Sequence, residues 1–257
     1  MLTDRDRCLV DQLYRFHLLT RDQAMACAGF HSLTRANTRF GNLLHARIIS
    51  RKRLPVIPGH GSAQSLYYLG RDSSIALGAD AADIPTLIRR VSRWDARQAN
   101  HVLAANQVII DFLAGSRMTP EVRLLSFRTE PELRRIFLRQ PFVPDGWIAW
   151  TERGRRFNVF TEVDLSHEGL TQWRRKVMDY MRYRESGLHQ ELFSFRGFRV
   201  IVLAATDRRL HNLRTISGPS ASLFLFAKFA DVSAGTILGR AWLPATGGEP
   251  VSLAEAP

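Results

Sequence analysis

The sequence predicts an α/β protein in which a small helical domain precedes a larger domain built on a mixed central sheet. Apolar residues recur at helical spacing in three short segments before residue 47, and a basic hairpin pattern follows them. Beyond residue 95, helical and strand-like patterns alternate in the order α-β-β-β-α-β-α-β. A mixed order of this kind indicates one central sheet with helices packed against it.

The first 71 residues have the pattern of a winged helix-turn-helix. Thr3, Thr20 and Ser32 are the expected N-caps of three short helices, the third running from Leu33 to Ala46. A two-stranded hairpin follows, with a Pro/Gly-rich tip from Pro55 to Gly61. A generic helical bundle is the alternative, but the order of three helices and then a wing favours the winged helix.

Positive charge is densest in this same segment, which holds 11 Lys/Arg against 4 Asp/Glu in a chain of net charge +12. Such a charge predicts a polyanionic partner. Double-stranded DNA suits the pattern, with the third helix in the major groove and the hairpin along the backbone. The candidate DNA contacts are residues of the third helix and the wing: Arg35, Thr38, Arg39, Arg51, Lys52 and Arg53.

Composition argues against several other classes. The two cysteines, Cys8 and Cys27, form neither a disulfide framework nor a zinc spacing. The first residues have no signal-peptide pattern, and no apolar run approaches the ~20 residues that a membrane span needs. These observations predict a cytoplasmic protein without a membrane span.

Two acidic residues of a predicted hairpin give the strongest chemical signal. Two apolar runs flank a charged loop, Glu152 to Arg155, which indicates an antiparallel hairpin. Folding the chain about this four-residue loop places Trp150 opposite Phe157. In the same register Asp145 falls opposite Glu162, and like charges in such a position destabilise a sheet.

A third acid joins this pair. Asp164 follows Glu162 by two residues, so its side chain points to the same face of the strand. Three carboxylates on one buried patch need a compensating cation, and oxygen ligands suit Mg²⁺ or Mn²⁺. Asp145, Glu162 and Asp164 are therefore the expected metal ligands. Two alternatives remain: a slipped register that sends one acid to solvent, and arginine neighbours that neutralise the patch.

The other elements of the second half follow from period and composition. Helices are predicted over residues 96–113, 168–185 and 207–216, and strands over residues 122–127, 198–204 and 222–229. The chain then divides into a winged-helix domain (1–71), a connector (72–95), a sheet domain (96–232) and a flexible tail (233–257) that is rich in Gly, Pro and Ala.

The order of acids and elements resembles the PD-(D/E)xK nuclease superfamily, which has an αβββαβ core. Pro144-Asp145 on one strand and Glu162-Val163-Asp164 on the next carry this resemblance. Asp164 stands where that superfamily usually has its lysine. In several of its branches the lysine lies on the following helix, which makes Lys176 the candidate. The resemblance implies that Lys176 orients the nucleophile or stabilises developing charge, as a catalytic group beside Asp145, Glu162 and Asp164.

The layout of residues 2 to about 215 also resembles the replication-relaxation family of mobile elements. The resemblance rests on Leu2-Thr3-Asp4-Arg5-Asp6, Leu18-Leu19-Thr20, Ser65-Leu66-Tyr67-Tyr68-Leu69, Pro144-Asp145-Gly146, Glu162-Val163-Asp164, Lys176 and Tyr180. It implies a role in plasmid replication or mobilisation, with partner proteins from a plasmid or conjugative element. One branch comprises the C class of mobilisation relaxases, which nick DNA at a transfer origin.

Two hypotheses of function follow. The first is a metal-dependent, site-directed DNA nickase of the relaxase type. The second is a winged-helix DNA-binding regulator or replication accessory protein whose nuclease-like domain is inactive and serves for homodimerisation or DNA contact. Covalent catalysis by Tyr180 or Tyr183 is a further alternative, although that chemistry normally needs a histidine cluster for its metal and the sequence offers none. The position of Lys176 relative to Asp145 and Glu162 discriminates between the two hypotheses.

Overall fold

The structure is a computed structural model that describes residues 2–54, 64–78, 83–166, 168–218 and 222–255. The chain forms two compact units, residues 1–107 and 108–257. The division falls inside one long helix, whereas the sequence pattern suggests a connector over residues 72–95. The predicted wing tip, residues 55–61, lies outside the described residues. Within the described ranges, no helix combines the length and apolar character that a membrane span requires.

The first unit consists of helices around a small antiparallel sheet. Its helices are α1 (Asp4–Phe16), α2 (Arg21–Ala28), α3 (Leu33–His45), α4 (Ser74–Leu77), α5 (Ile84–Ser92) and the first half of α6 (Ala96–Met118). Its strands are β1 (Leu19–Thr20), β2 (Ile49–Arg53) and β3 (Ser65–Leu69), in the order β1-β3-β2. The predicted helix caps Thr3, Thr20 and Ser32 are confirmed, because each side chain accepts a hydrogen bond from the first turn.

The segment expected to be a connector contains two of these helices. In α5, Ile84, Leu87 and Val91 are buried. This helix contacts β3, and α4 contacts α1. The sequence signal was weak because both helices are short and flanked by glycine or proline. The α5 helix buries its apolar residues, whereas α4 buries none, and both helices lie within the first unit.

The second unit is built on a mixed sheet in the order β4-β5-β6-β7-β8-β9, counted within the described residues. The strands are β4 (Val122–Thr129), β5 (Gly146–Glu152), β6 (Arg155–Asp164), β7 (Arg199–Ala204), β8 (Phe224–Lys228) and β9 (Leu243–Pro244). The pairs β6–β7 and β7–β8 are parallel and the others antiparallel, so the predicted mixed sheet is confirmed. The helices besides α6 are α7 (Glu130–Ile136), α8 (Leu170–Glu185), α9 (Leu188–Phe193) and α10 (Asp207–Ser217).

One face of this sheet packs against α8 and α10. The shared core contains large apolar and aromatic side chains from the strands and from both helices: Trp147, Phe160, Val200, Val202, Phe224 and Phe226 from the sheet, and Trp173, Val177, Tyr180, Leu210 and Leu213 from the helices. On the other face, Phe112 of α6 lies with its ring 5.0 Å from that of Trp150. Alternate residues of β5 and β6 therefore point to different helices.

The β5–β6 hairpin has the predicted register, with Trp150 paired to Phe157. The turn is shorter than expected. Glu152 pairs with Arg155, which leaves only Arg153 and Gly154 between the strands. Both have positive φ, 50° and 76°, as in a type I′ turn, whose twist matches that of the strands. The register is the same for a two-residue and a four-residue turn, so the positions of the acids are unaffected.

Two other segments differ from the sequence expectation. Residues 130–136 form α7 because Thr129 and Glu132 make a capping box that the sequence reading missed. Where a flexible tail over residues 233–257 was expected, the described part of that segment packs on the sheet. Leu243 and Pro244 pair with β8, and Trp242 is fully buried with its Nε1 donating to the Ile237 carbonyl at 2.8 Å. Gly and Pro content hid the few apolar residues that anchor this segment.

Candidate functional site

Asp145 and Glu162 meet at one end of the interior strands β5 and β6 of the second unit's sheet. Asp145 immediately precedes β5, and its backbone N–H donates to the Thr161 carbonyl at 3.0 Å, which continues the β5–β6 pairing by one residue. The Val163 N–H donates to Asp145 Oδ2 at 2.7 Å. Both carboxylates are buried, with 7% and 2% of their surface exposed. The predicted juxtaposition of the two acids therefore holds, on the face that packs against α8.

Lys176 reaches this pair from α8. Its Nζ atom donates to Glu162 Oε2 at 2.6 Å, and the Tyr180 hydroxyl donates to Glu162 Oε1 at 2.5 Å. Lys176 and Tyr180 are four residues apart, so they lie on the same face of the helix. Each carboxylate oxygen can accept a further bond, so Glu162 keeps the capacity to bind another group.

Burial controls the electrostatics of this group. It raises the pKa of Glu162 to about 7; the Lys176 ammonium lowers that pKa and the Asp145 carboxylate raises it. Burial lowers the pKa of Lys176, but Glu162, Asp145 and Glu168 more than offset it, so the net shift is upward. Lys176 therefore keeps its positive charge at neutral pH, and burial makes the Glu162 carboxyl easier to protonate than an exposed glutamate.

Asp164 is held by an arginine that the sequence reading did not identify. Arg209, on α10, donates from Nε to Asp164 Oδ1 at 2.8 Å and from a terminal nitrogen to Oδ2 at 2.6 Å. The same arginine donates to the Glu168 carbonyl at 2.7 Å, and the Ser166 N–H donates to Asp164 Oδ1 at 2.7 Å. One alternative raised by the sequence, arginine neutralisation of the acidic patch, thus applies to Asp164.

These contacts change the expected metal site from three carboxylates to two. In the ranges that the structure describes, no three His, Cys, Asp or Glu side chains are grouped so as to hold a metal ion. The donor set of Asp145 and Glu162 still fits Mg²⁺, which is commonly bound by one or two carboxylates and keeps several waters. Both carboxylate oxygens of Asp164 accept hydrogen bonds from Arg209 in a bidentate ion pair, so Asp164 is the poorer candidate ligand.

The site opens to solvent beside Lys176. An open cleft of about 550 Å³ is lined by residues including Val143, Glu168, Gln172, Arg175 and Lys176. The Lys176 side chain is 18% exposed, whereas that of Glu162 is only 3% exposed. Lys176 lines this cleft together with Arg175, Glu168 and Asp179, whereas Asp145 and Glu162 are buried and are not part of its lining.

The tyrosines are unsuited to covalent catalysis. Tyr180 is fully buried, and burial, followed by the charge of Glu162, raises its pKa well above the ordinary value. Tyr183 is 2% exposed, and burial raises its pKa also. A nucleophile must reach its substrate as an oxyanion, and both features oppose that. This geometry argues against the tyrosine-nucleophile alternative.

Of the six candidate DNA contacts in the first unit, four side chains are exposed and two make ion pairs or hydrogen bonds within the protein. Arg35, Thr38, Arg51 and Arg53 are exposed. Arg39 instead makes a bidentate ion pair with the buried Asp6. Lys52 donates from Nζ to the Val91 and Trp94 carbonyls, at 3.2 and 2.8 Å, at the C-terminal end of α5.

A polar stripe on α3 extends the exposed set. Its members are spaced three or four residues apart and all are exposed: Thr34, Asn37, Thr38, Gly41, Asn42 and His45. At Gly41 an added Cβ would meet no atom within 4 Å. A glycine inside a helix costs about 1 kcal/mol relative to alanine. The residues that the structure describes therefore supply no packing reason for Gly41, and its place four residues after Asn37 and four before His45 was the available sequence signal.

Comparisons with known proteins place the chain at the level of a family. Neither the search of curated proteins nor that of solved structures found a match. The family model described as Replication-relaxation matches residues 11–194, which spans both units and includes Asp145, Glu162, Asp164 and Lys176. Because this match covers more than half of the sequence, the chain belongs to the replication-relaxation family.

Proposed function

We propose that this protein binds double-stranded DNA through its first unit and nicks one strand with a metal-dependent site in its second unit. Membership of the family implies a role related to plasmid replication or relaxation. The observation that carries the finer proposal is the Lys176 Nζ atom of α8, which lies 2.6 Å from Glu162 Oε2 at the strand end where Asp145 also lies.

The second unit supplies the groups that phosphodiester hydrolysis needs. Asp145 and Glu162 would hold Mg²⁺ or Mn²⁺, which when bound polarises the phosphate and lowers the pKa of a water. Lys176 stabilises negative charge that accumulates on the phosphate oxygens. The water oxygen bonds to phosphorus as one bridging sugar oxygen leaves; the water loses a proton and the sugar oxygen gains one. The mixed sheet, with acids on β5 and β6 and the lysine on the next helix, supports a PD-(D/E)xK-like domain.

The first unit supplies the DNA contacts. Three helices followed by the β2–β3 hairpin support the winged-helix assignment. The exposed stripe of α3 presents asparagine amides, which suit adenine, and threonine methyl groups, which suit the thymine methyl. Arg51 and Arg53 on the wing would contact phosphates.

A second candidate function rests on a specific observation. Both Glu162 oxygens accept strong hydrogen bonds, from Lys176 and Tyr180, and Asp164 is ion-paired with Arg209. A site closed in this way would suit a DNA-binding regulator whose nuclease-like domain no longer turns over. Such a protein would bind DNA without cleaving it.

Nicking of supercoiled plasmid tests the proposal. The plasmid should carry the DNA that flanks the protein's own coding region, with Mg²⁺ or Mn²⁺ present. We expect wild type and the control Glu185→Gln, an exposed acid at the end of α8, to produce open circles. Glu162→Gln should abolish nicking with DNA affinity unchanged. Binding by all three proteins without nicking by any of them would favour the regulator.

A further inference from the structure

Four arginines lie at the sheet end opposite the carboxylates. Arg155 and Arg156 begin β6, Arg199 begins β7, and Arg184 lies in the last turn of α8. All four line one open cavity of about 440 Å³. Among the described residues that line this cavity, none is an aspartate or a glutamate. We call this group the arginine site.

Aromatic rings and a hydroxyl hold three of these side chains in place. The Arg155 guanidinium lies over the Phe157 ring at 5.1 Å, and that of Arg156 over the Phe195 ring at 4.8 Å. Arg184 donates to the Ser222 hydroxyl at 3.4 Å. Within the described residues these three arginines have no ion pair, so the planar donors of each guanidinium remain available to an anion.

The like charges also act on one another. Burial lowers the pKa of Arg199, and the charges of Arg184 and Arg155 lower it further. Grouped cations of this kind repel, and an anion bound among them would offset the repulsion. Asn158 also lines the cavity; its side chain accepts a hydrogen bond from the Trp147 indole at 3.2 Å and donates one to the Gly197 carbonyl at 2.7 Å. The cavity therefore combines a hydrogen-bonded amide with a positively charged rim.

We propose that the arginine site binds the phosphates of a nucleic-acid strand, at a place separate from the Asp145–Glu162 site. Arg155 and Glu162 are seven residues apart on β6, or roughly 23 Å at strand rise. Arginine forks match phosphate oxygens in pairs. A chain of phosphates suits four donors spread along the ends of two strands and a helix, and an open cavity suits a strand that passes over it. Phosphate binding at the arginine site does not depend on whether the second unit nicks DNA.

The test measures oligonucleotide affinity of the full chain in EDTA, so it does not depend on cleavage. The background carries Arg35→Gln, Arg51→Gln and Arg53→Gln, which removes the proposed contacts of the first unit. In that background, Arg155→Gln with Arg184→Gln should weaken binding of a fluorescent single-stranded oligonucleotide about tenfold. The slope of log affinity against log salt should fall by about 1.4, as expected for two lost phosphate contacts.

A matched pair controls for net charge. Arg117→Gln with Arg139→Gln removes two exposed arginines that do not line the cavity. This pair should leave affinity and salt slope almost unchanged. All four substituted residues in the two pairs are exposed, so folding is preserved. If the two pairs of substitutions weaken oligonucleotide affinity equally, or if neither pair weakens it, the proposal of an arginine site is wrong. Binding of a nucleoside triphosphate at the arginine site, with oligonucleotide affinity unaffected, would overturn the assignment to nucleic acid.

Discussion

Arg209 and Asp164 form a bidentate ion pair, with hydrogen bonds of 2.8 and 2.6 Å, between α10 and the end of β6. Their side chains are 11% and 5% exposed. Asp164 is the residue that the resemblance to the nuclease superfamily places at the position of the usual lysine. Asp164 therefore joins a helix to the sheet, and the adjacent carboxylates Asp145 and Glu162 remain as the candidate metal ligands.

Breaking this pair should destabilise the protein. Arg209→Gln leaves the buried Asp164 charge uncompensated, so we expect the free energy of unfolding to fall by about 3 kcal/mol. The double variant Asp164→Asn with Arg209→Gln should lose less stability than the sum of the two single variants, because it contains no unpaired buried charge, whereas each single variant contains one. Urea denaturation of the four proteins measures this coupling. Strict additivity would mean that the two residues act independently.

Asp164→Lys restores the lysine of the nuclease pattern, but it places a second cation beside Arg209. This substitution should therefore be made together with Arg209→Leu, which removes the neighbouring positive charge.

The raised pKa of Glu162 predicts a pH dependence of stability. A carboxyl whose pKa is about 7 when folded and 4.5 when unfolded adds stability below pH 4.5 and loses it as the pH rises to 7. The loss amounts to about 3 kcal/mol at most. Glu162→Gln should flatten this part of the profile relative to wild type. Denaturation between pH 4 and 8 checks the difference, and parallel profiles would contradict the raised pKa.

The same titration governs metal-dependent nicking. A proton on Glu162 competes with a cation, so the rate at a fixed, low Mg²⁺ concentration should rise as the pH increases through about 7. Asp145→Asn removes a charge that raises this pKa, so it should lower the titration midpoint of the Glu162 carboxyl in a carbon-13 NMR experiment. An unchanged midpoint would show that the two carboxyls do not interact.

The sequence predicted the hairpin well because turn chemistry and aromatic pairing both specify its register. Gly154 favours a tight turn, and Trp150 stacks on Phe157 with ring centroids 5.4 Å apart. Asp145 and Glu162 then followed by counting residues. Lys176 was also within reach of sequence reasoning, because it lies on the first helix after the strand that carries Glu162.

The sequence did not predict which residues from distant parts of the chain contact each other. Arg209 lies 45 residues after Asp164, and α10 also carries Arg208 and Arg214, so spacing alone does not identify which arginine turns toward the strand. Lys52 resembles an ordinary wing lysine, but it is held by α5, a helix that looked like a connector. In both cases the partner of the side chain depends on where a helix packs, α10 for Arg209 and α5 for Lys52, and the sequence pattern does not show this.

The two arginines of α3 should differ in what they do. Arg39 compensates Asp6, which is fully buried and also accepts hydrogen bonds from Thr3. Arg39→Gln should therefore lower the free energy of unfolding by about 3 kcal/mol. Arg35→Gln should leave stability within about 0.5 kcal/mol and weaken DNA binding, because its side chain is exposed. Thermal unfolding and fluorescence anisotropy on both variants separate the two roles. An unstable Arg35→Gln variant would contradict this assignment.

Two helical glycines offer a matched test of the DNA-reading stripe. A Cβ at Gly115 of α6 would lie 2.6 Å from the Ala234 carbonyl oxygen, whereas one at Gly41 of α3 would meet nothing within 4 Å. Gly115→Ala should thus destabilise the protein, and Gly41→Ala should stabilise it by up to about 1 kcal/mol. If DNA approaches closely at Gly41, the added methyl should still weaken binding about fivefold or more.

The stability of Gly41→Ala and its DNA affinity, measured together, distinguish a DNA contact from a structural role. A more stable Gly41→Ala variant that binds DNA less tightly indicates that an external surface occupies the space above α3. Asn42→Ala, at the next residue of the stripe, should also stabilise the helix, by less than Gly41→Ala, because alanine is the better helix former. It should weaken binding and relax preference for adenine, because it removes an amide and adds no methyl group above the helix. Calorimetry and competition between related DNA sites measure both properties. Undiminished DNA affinity in Gly41→Ala would remove this face of α3 from the interface and direct attention to the wing residues Arg51 and Arg53.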